Sequence, residues 1–472
     1  MSSPPPESTL GELRRAGFES RTIRAEIRAN LVERLRNREP LFNGIHGYGD
    51  SVVPALENAL LSGHDLVFLG ERGQAKSRMI RALTGFLDEW IPEVHGSETR
   101  DDPTAPVSAR GRKIVHERGD DTPIRWVHRD ERYVEKLATP DASVADLIGD
   151  IDPMKVAEGR SLADELTMHF GLLPRANRGI FCINELPDLA EKVQVALFNV
   201  MQERDVQIKG YAVRLPLDVL VVASANPDDY TSRGRIISPL KDRYAAQIRT
   251  HYPTERNVEL DIVLQEARLP VVPGITVRVP RFMQDAIVEI THQARRSPDV
   301  NQASGVSVRM SISNYETLVA NSVRRALALG ENEAAPRVSD LTAIRASMLG
   351  KLELEYAGRE RSEYEIADTL VKRSVKSVFD EVAMIDELRP VVAAFDEGWQ
   401  VEVSPDLRSA DYLTGLDEIP VLRDVALRIG AGESPAALAS AIEFLLEGLH
   451  LSNRLNKTTK SGTAVYGRRA AP

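Results

Sequence analysis

The chain has 472 residues, a length that suggests two to four domains, and its 42% hydrophobic content is ordinary for a globular protein. Its 60 Lys and Arg residues against 70 Asp and Glu residues give a formal net charge of −10, which argues against general nucleic-acid binding. A single cysteine, Cys182, excludes an intrachain disulfide and a Cys-rich zinc site, and it fits a reducing compartment.

The first segment, residues 1–40, opens with the polar, Pro-rich stretch "MSSPPPESTL", which lacks the apolar core of a signal peptide. Residues 1–9 are expected to form a loose tail, and apolar residues at helical spacing over 10–38 predict one or two surface helices. The longest apolar stretches of the chain are far too short to span a bilayer. We therefore expect no membrane span and a cytoplasmic protein.

The second segment, residues 41–254, begins with a strand–loop–helix pattern. "HDLVFLG" (64–70) is a short apolar run that ends in glycine, as buried strands often do, and apolar residues at helical spacing follow as far as Trp90. The charged stretch over 95–130, broken by Pro and Gly, predicts a long, mobile surface insertion.

Two further buried strands are predicted, at "RGIFCINE" (178–185) and "DVLVVASAN" (218–226), with a helix and a β-hairpin (206–215) between them. From about residue 255 the pattern is almost purely helical, and the final stretch "NKTTKSGTAVYGRRAAP" predicts a flexible tail. Strands that alternate with helices indicate a parallel α/β sheet, which a helical region then follows.

The stretch "GERGQAKS" between the first strand and its helix has the layout of a phosphate-binding loop, G-x-x-x-x-G-K-[ST], with Ala75 in place of the second glycine. Such a loop turns successive backbone N–H groups toward phosphates, its lysine adds a full charge, and its Ser or Thr hydroxyl ligates Mg²⁺. The alanine methyl is tolerated if the backbone there has a negative φ. The alternative is a plain glycine turn before a helix with an exposed lysine. The candidate nucleotide-binding residues are Gly70, Glu71, Arg72, Gly73, Gln74, Ala75, Lys76 and Ser77.

Hydrolysis also requires an acidic pair at the end of a neighbouring strand, where an Asp holds Mg²⁺ and a Glu activates water. "GIFCINELPDL" supplies Glu185 as the candidate catalytic residue, but the Asp position is Asn184. Ser77 and Asn184 are the candidate metal ligands, and the neutral Asn184 predicts a more weakly held Mg²⁺. Alternatively, Asn184 and Glu185 cap the following helix.

Two further polar residues complete the candidate site. Asn226 ends the third strand, where its side chain could orient water, although a turn asparagine before Pro227 is the simpler alternative. Arg243, in "SPLKDRY", is either a surface charge or an arginine finger that reaches a neighbour's γ-phosphate. The sequence contains no H-E-x-x-H zinc motif and no G-x-S-x-G nucleophile elbow, and Cys182 fits a buried thiol.

In this order the motifs resemble those of the AAA+ ATPases, and within them the branch that contains MoxR-type ATPases and the ATPase subunit of magnesium chelatase. "GQAKS" is similar to the G-x-A-K-[ST] loop of that branch, so Ala75 resembles an ordinary variant. "GLLPRANRGIFCINELPDL" resembles the chelatase subunit, whereas "KVQVALFNVMQERDVQIKG" looks more like the MoxR type. "VVASANPDD" and "PLKDRY" resemble the sensor-1 and arginine-finger segments. The resemblance covers about residues 40–350.

This resemblance implies a P-loop NTPase parallel sheet (an αβα core, 41–254), a helical lid (255–350) and a further, mostly helical region (351–472). It also implies ATP and Mg²⁺ as cofactors and a homo-oligomeric ring, commonly of six subunits, with sites at the subunit boundaries. By the same resemblance Arg309, in "SGVSVRMSIS", is a sensor-2 residue that contacts nucleotide, although a surface arginine remains an alternative.

Three functions are compatible with these residues. The first is an ATP-hydrolysing ring motor that remodels a partner protein, which in this branch often has a von Willebrand-type metal-binding domain. The second is the ATPase subunit of a magnesium–porphyrin chelatase. The third is a nucleotide-dependent assembly scaffold that binds ATP but cleaves it poorly because of Asn184.

Overall fold

The chain forms two compact units, Met1–His251 and Tyr252–Pro472. The computed structural model describes residues 3–157, 165–203, 206–208, 211–213, 215–226, 235–302, 304–355, 362–414, 419–460 and 463–468. The four-part division expected from the sequence stays a prediction.

The first unit contains ten α-helices and eleven strands within the described residues. The helices are α1 (Leu10–Arg15), α2 (Ile23–Asn37), α3 (Val52–Ser62), α4 (Lys76–Ala82), α5 (Ala109–Arg118), α6 (Val144–Leu147), α7 (Pro153–Ala157), α8 (Leu172–Arg175), α9 (Glu191–Glu203) and α10 (Ser238–Arg243). The strands are β1 (Leu66–Leu69), β2 (Trp90–Val94), β3 (Ile124–His128), β4 (Tyr133–Leu137), β5 (Gly149–Ile151), β6 (Met168–Phe170), β7 (Gly179–Asn184), β8 (Val206–Ile208), β9 (Tyr211–Val213), β10 (Val219–Ala225) and β11 (Ala246–Arg249).

A five-stranded sheet of order β11-β1-β10-β7-β4 forms the centre of this unit, and all four pairings are parallel. Its middle strands are buried along their whole length because helices cover both faces, which explains their continuous apolar sequences. Cys182 and its alternate neighbours pack toward α2, α3 and α4, whereas Phe181 and its neighbours pack toward α9. The predicted parallel α/β fold is therefore confirmed.

The expectation of a mobile insertion over 95–130 was wrong. This segment contains α5 and β3, β3 pairs antiparallel with the preceding strand β2, and polar hydrogen bonds order the segment. The fully buried Asp101 accepts hydrogen bonds from the backbone N–H groups of Val107 (2.7 Å) and Ser108 (2.8 Å). Because buried carboxylate and hydroxyl groups can order a segment that has few apolar residues, its composition was misleading.

Two smaller expectations also fail near the N-terminus. Residues expected as a loose tail are docked, since the Trp126 indole donates to the carbonyl oxygen of Glu7 (2.8 Å). The helix after the phosphate loop ends at Ala82, and a 3₁₀ turn follows it, so that Trp90 begins a strand. The buried carboxylate of Glu26 accepts a hydrogen bond from the N–H of Asp88 (2.6 Å). This bond fixes the backbone between the 3₁₀ turn and the strand.

The predicted hairpin is confirmed where it can be observed, because β8 and β9 pair antiparallel. Its two central residues, Lys209 and Gly210, lie outside the described residues. Along the described residues of both units, no helix is long and apolar enough to cross a bilayer.

The second unit is built from eight α-helices and five short strands, counted over its described residues. The helices are α11 (Arg256–Glu266), α12 (Arg281–Arg296), α13 (Val308–Leu329), α14 (Arg345–Met348), α15 (Glu363–Val382), α16 (Arg389–Asp396), α17 (Pro420–Arg428) and α18 (Pro435–Leu451). The strands are β12 (Thr276–Val277), β13 (Glu333–Ala334), β14 (Val401–Val403), β15 (Asn456–Lys460) and β16 (Thr463–Gly467). One hydrophobic core runs through the unit from Leu260 to Tyr466, and α18 is buried along almost its whole length.

The flexible tail expected after residue 455 was wrong for residues 456–460 and 463–467. β15 and β16 form an antiparallel hairpin, and β14 pairs with β16 to complete a three-stranded sheet. The Tyr466 ring is buried, its hydroxyl hydrogen-bonds the Glu447 carboxylate, and Lys457 donates to the same carboxylate (2.6 Å). Alternating Thr, Val and Tyr residues favour such a hairpin, whereas the Lys and Arg residues around them suggested solvent exposure.

Candidate functional site

The polar residues predicted at strand ends meet at the carboxyl edge of the five-stranded sheet. The phosphate loop follows β1, the Asn184–Glu185 pair follows β7, and Asn226 follows β10. Because β10 lies between β1 and β7, Asn226 occupies the middle of this group. Ligand sites of open parallel sheets lie at this edge.

Ala75 adopts a left-handed conformation (φ 55°, ψ 16°) directly before α4, so the expectation of a negative φ was wrong. Gly73 also has a positive φ, 77°. The loop needs two left-handed residues in order to turn its N–H groups inward before the helix begins. The methyl group of Ala75 makes its conformation unfavourable by roughly 1–2 kcal/mol relative to glycine.

The loop is fixed to its surroundings by side chains that the motif does not include. The Gln74 amide oxygen accepts from the Thr250 hydroxyl (2.7 Å) and from the N–H of Glu71 (3.0 Å). The Tyr48 hydroxyl lies 2.8 Å from the Gln74 carbonyl oxygen, and burial raises the pKa of Tyr48 to about 12. A Cβ atom on Gly70 would lie only 1.9 Å from the Thr250 hydroxyl oxygen, so this close approach requires glycine there.

The Lys76 ammonium group is buried at the centre of the site, with a 7% exposed side chain. It donates to the carbonyl oxygens of Gly70 and Glu71, the latter at 2.9 Å, and to the Asn226 Oδ1 (2.7 Å). Three neutral oxygens at the mouth of the loop thus contact its charge.

Asn226 connects this lysine to the predicted catalytic carboxylate, because its Nδ2 donates to the Glu185 Oε2 (2.9 Å). The ammonium group can only donate and the ionised carboxylate can only accept, so the orientation of the amide between them is fixed. Glu185 is left-handed (φ 56°, ψ 49°), and its N–H donates to the Ser224 hydroxyl (3.2 Å). Strained conformations of this kind concentrate at functional sites.

Asn184, the neutral residue of the acidic motif, is 9% exposed and is hydrogen-bonded on both sides. Its Nδ2 donates to the Glu135 carboxylate, and its Oδ1 accepts from the Ser224 hydroxyl (3.2 Å). Glu135 comes from β4 and forms a bidentate pair with Arg81, with both distances at 3.0 Å.

The oxygen atoms at this edge fit Mg²⁺, which keeps most of its water and takes few protein ligands together with substrate phosphates. Ser77 is the second residue of α4 and is partly exposed, while the Asn184 and Glu185 side chains reach the same sheet edge. Within the described ranges no group of three or more His, Cys, Asp or Glu side chains could form a metal cage. An ion shared with phosphate needs no such cage.

The structure does not bring Arg243 into the series of hydrogen bonds that joins Lys76, Asn226 and Glu185. Arg243 is the exposed last residue of α10, and its guanidinium carbon lies 5.6 Å from the centre of the Phe198 ring. Arg309 belongs to the second unit, where it is the exposed second residue of α13. The exposed Arg72 lies in the phosphate loop itself.

Sequence reasoning missed four residues that hold this site: Tyr48, Arg81, Glu135 and Thr250. Each lies outside the recognised motifs: Glu135 reaches the site through sheet pairing, Arg81 from α4, and Tyr48 and Thr250 by packing against the loop. Glu135 alone carries a sequence signal, a carboxylate within the strand-like run "YVEKL".

Comparison with known proteins matches residues 161–238 to the family model described as "Sigma-54 interaction domain". The chain is 29% identical over 213 residues to the magnesium-chelatase 38 kDa subunit of Cereibacter sphaeroides, covering 43% of this chain and 55% of that protein. It is 26% identical over 293 residues to the magnesium-chelatase subunit ChlI of Anabaena variabilis, covering 59% and 82% respectively. The chain thus spans about half the length of the first relative.

A solved complex between subunits BchI and BchD of magnesium chelatase contains a chain with 20% identity and a TM-score of 0.36, covering 70% of this chain and 98% of that one. This score is too low to carry an argument, so the fold rests on the observed sheet. The sheet order and the phosphate loop are those of an AAA+ ATPase fold, and the sequence relatives point to the same family. Among these relatives the chain is similar to magnesium-chelatase subunits.

Proposed function

We propose that this protein binds and hydrolyses ATP as a ring-forming AAA+ motor of the MoxR/magnesium-chelatase type, and that it remodels or activates a partner protein in the cytoplasm. The observation that supports this proposal is the continuous Lys76–Asn226–Glu185 chain at the carboxyl edge of the sheet. It joins a phosphate-binding cation to a water-activating carboxylate through one amide of fixed orientation.

In this proposal Lys76 exchanges loop carbonyl oxygens for the β- and γ-phosphate oxygens of ATP, while the backbone N–H groups of residues 71–77 surround the phosphates. Asn226 and Glu185 orient the attacking water, and Glu185 accepts its proton. Ser77 and Asn184 would hold Mg²⁺, which would offset negative charge on the phosphates. Arg243 acts from a neighbouring subunit of the ring, and Arg309 acts as the lid residue that contacts nucleotide.

Lys76→Ala is expected to remove most nucleotide affinity, because the compact charge on the phosphates is lost. Glu185→Gln is expected to retain ATP but to stop its cleavage, because it keeps the shape and loses the charge that activates water. Binding of a fluorescent ATP analogue and steady-state phosphate release measure the two effects. Lys113→Ala and Glu117→Gln, which alter an exposed pair on α5, are the matched controls.

Unchanged affinity in Lys76→Ala would place the nucleotide site elsewhere. Wild-type turnover in Glu185→Gln would transfer the base role, with Asp188 as the next candidate, since its N–H bonds the Glu185 carbonyl oxygen (2.9 Å).

A second candidate is a nucleotide-dependent assembly scaffold, which the neutral Asn184 favours. A protein of this class would bind ATP and assemble without appreciable phosphate release, so the same turnover assay distinguishes it from the motor.

The names of the relatives favour a third candidate, the ATPase subunit of a magnesium–porphyrin chelatase. Neighbouring genes that encode other chelatase subunits would support it, and a co-purifying partner with a von Willebrand-type metal-binding domain but no porphyrin activity would favour the motor.

A further inference from the structure

Asn184 stands where the acidic motif carries its metal-binding Asp, and a carboxylate from the next strand lies against it. In the pairing of β4 with β7, Leu137 is opposite Asn184 and Glu135 is opposite Cys182. Glu135 is thus one pleat behind Asn184 and on the same face of the sheet, the face that α4 covers. The motif lacks a charge, but its immediate surroundings contain one.

The hydrogen bond between these side chains determines how Asn184 is oriented. A carboxylate accepts and cannot donate, so the amide NH₂ group of Asn184 must point to Glu135. The amide oxygen of Asn184 therefore points away from Glu135, and it accepts from the Ser224 hydroxyl of β10 (3.2 Å) and from the Cys182 thiol (3.7 Å). An amide whose NH₂ group donates to an anion also has a more negative oxygen, which makes it a better ligand for a cation.

The surroundings of Glu135 keep it ionised. The Arg81 guanidinium donates two hydrogen bonds to the Glu135 carboxylate, both at 3.0 Å, and the Tyr133 hydroxyl donates another at 3.0 Å. Arg81 lies one helical turn after Ser77 on α4, so the pair aligns Glu135 with the helix that begins at the phosphate loop.

We propose that Glu135 is a positioning residue for the metal–nucleotide complex, which it serves by orienting the amide oxygen of Asn184 toward Mg²⁺ and by supplying the negative charge that Asn184 lacks. The proposal rests on the nucleotide site described under the proposed function. It assigns the role of the usual Asp to two side chains: Asn184 provides the ligand atom and Glu135 provides the charge.

A purely structural role is the competing explanation, in which Glu135 and Arg81 only fasten α4 to the edge strand. The two explanations differ for variants that keep the shape and change the charge. If the charge matters, Glu135→Gln and Arg81→Gln have different effects on the metal. If only the fastening matters, both variants weaken the site in the same way.

The test titrates Mg²⁺ into the full chain with a fluorescent ATP analogue and measures the Mg²⁺ concentration that gives half of the metal-dependent signal. Glu135→Gln is expected to raise that concentration about 10-fold, the effect typical of losing a group that supports a metal ligand. Its affinity for the analogue in EDTA should match wild type. Arg81→Gln is expected not to raise it, and Glu117→Gln is the matched control for removal of an exposed carboxylate.

The double variant Glu135→Gln/Asn184→Asp exchanges the two side-chain types. Of the variants in this experiment, it best separates the charge role from the structural role. The amide introduced on β4 can donate to the carboxylate introduced at the end of β7, so the hydrogen bond is kept while the charge moves to the usual position of the motif. Half-saturation should return to the wild-type Mg²⁺ concentration or below it. A structural role predicts no recovery, because the pair with Arg81 is still lost.

An unchanged Mg²⁺ requirement in Glu135→Gln, or a double variant as weak as that single variant, would overturn the inference. Equal weakening by Arg81→Gln would also overturn it. If Glu135→Gln does not fold, the Mg²⁺ requirement of the double variant is compared with that of Arg81→Gln. This comparison then distinguishes the charge role from the structural role. A wild-type chain that binds no nucleotide with or without Mg²⁺ would remove the proposed function itself, an outcome distinct from all of these.

Discussion

Ala75 and Glu185 both hold left-handed backbone conformations at the carboxyl edge of the sheet, one in the phosphate loop and one in the acidic motif. Neither residue type adopts this region readily, so surrounding bonds must maintain it. The loop is held through Gln74 by Thr250 and Tyr48, and Glu185 is held by Ser224 and Asn226. The strain at each residue is offset by a set of hydrogen bonds, and the bond from Lys76 to Asn226 links the two sets.

Ala75→Gly is expected to leave stability unchanged or to raise it by up to about 1 kcal/mol, because glycine relieves the left-handed strain while adding chain entropy to the unfolded state. Ala82→Gly is the matched control at the other end of α4, where φ is −64°, and it is expected to destabilise by about 1 kcal/mol. Thermal unfolding of the two variants under identical conditions measures the difference. A larger loss in Ala75→Gly than in Ala82→Gly would contradict the loop conformation.

At the scale of elements, the sequence predicted the strands that are buried on both faces. β1, β7 and β10 are continuous apolar runs, and each precedes a motif residue, so both strand and site residue were located. β4 was missed because it lies at the sheet edge and is only half buried, which allows Glu135 and Lys136 within it. An edge strand of mixed polarity has no strong sequence signal.

The same difference explains which part of the site could be predicted. Lys76, Glu185 and Asn226 belong to motifs at fixed positions relative to their strands, and the structure brings these three together. Tyr48 and Thr250 are distant in sequence from the loop that they hold, and only the fold brings them together. No local pattern indicates such a contact.

Gly448 on α18 permits a close approach to α15 within the core of the second unit. A Cβ atom there would lie 2.0 Å from the Phe379 Cδ2, and the Phe379 ring is itself buried against Phe444. Gly448→Ala should therefore destabilise the protein by about 1–3 kcal/mol through overpacking, which outweighs the better helix propensity of alanine. Gly467→Ala, where the nearest atom is the Gln400 Cγ at 3.8 Å, is the control.

Thermal unfolding measures this prediction as a midpoint lowered by several degrees in Gly448→Ala and unchanged in Gly467→Ala. Equal midpoints would mean that α18 and α15 are further apart than the structure has them.

At the scale of the whole molecule, the proposed ring requires that one subunit complete the site of another. Arg243 suits that role because its side chain is exposed at the end of α10, outside the hydrogen-bonded chain of its own subunit. In the proposed function, residues of one subunit bind phosphate and activate water, so an exposed arginine is the component that a neighbour would add.

Arg243→Ala is expected to bind ATP normally and to hydrolyse it about 10³–10⁵ times more slowly, because the charge developing on the γ-phosphate loses its partner. Mixing Arg243→Ala with Lys76→Ala subunits should restore activity. At some subunit boundaries, Arg243 of a Lys76→Ala subunit would then complete the site of an Arg243→Ala subunit, whose phosphate loop is intact. Phosphate release is measured across mixing ratios, with subunit exchange checked by fluorescence energy transfer. Subunit exchange without recovery of activity would exclude a shared site. Full activity of Arg243→Ala alone would mean that Arg243 is an ordinary surface residue with no role in hydrolysis.

Thr250 and His251, which hold the phosphate loop through Gln74 and Tyr48, are also the last two residues of the first unit. The distance from the Thr250 hydroxyl to the Gln74 amide oxygen is 2.7 Å, so this hydrogen bond cannot lengthen much without breaking. A displacement of Gln74 by about one ångström must either break that bond or pull Thr250 with it. A displacement of the loop is therefore expected to move the last residues of the first unit, which directly precede Tyr252 in the chain.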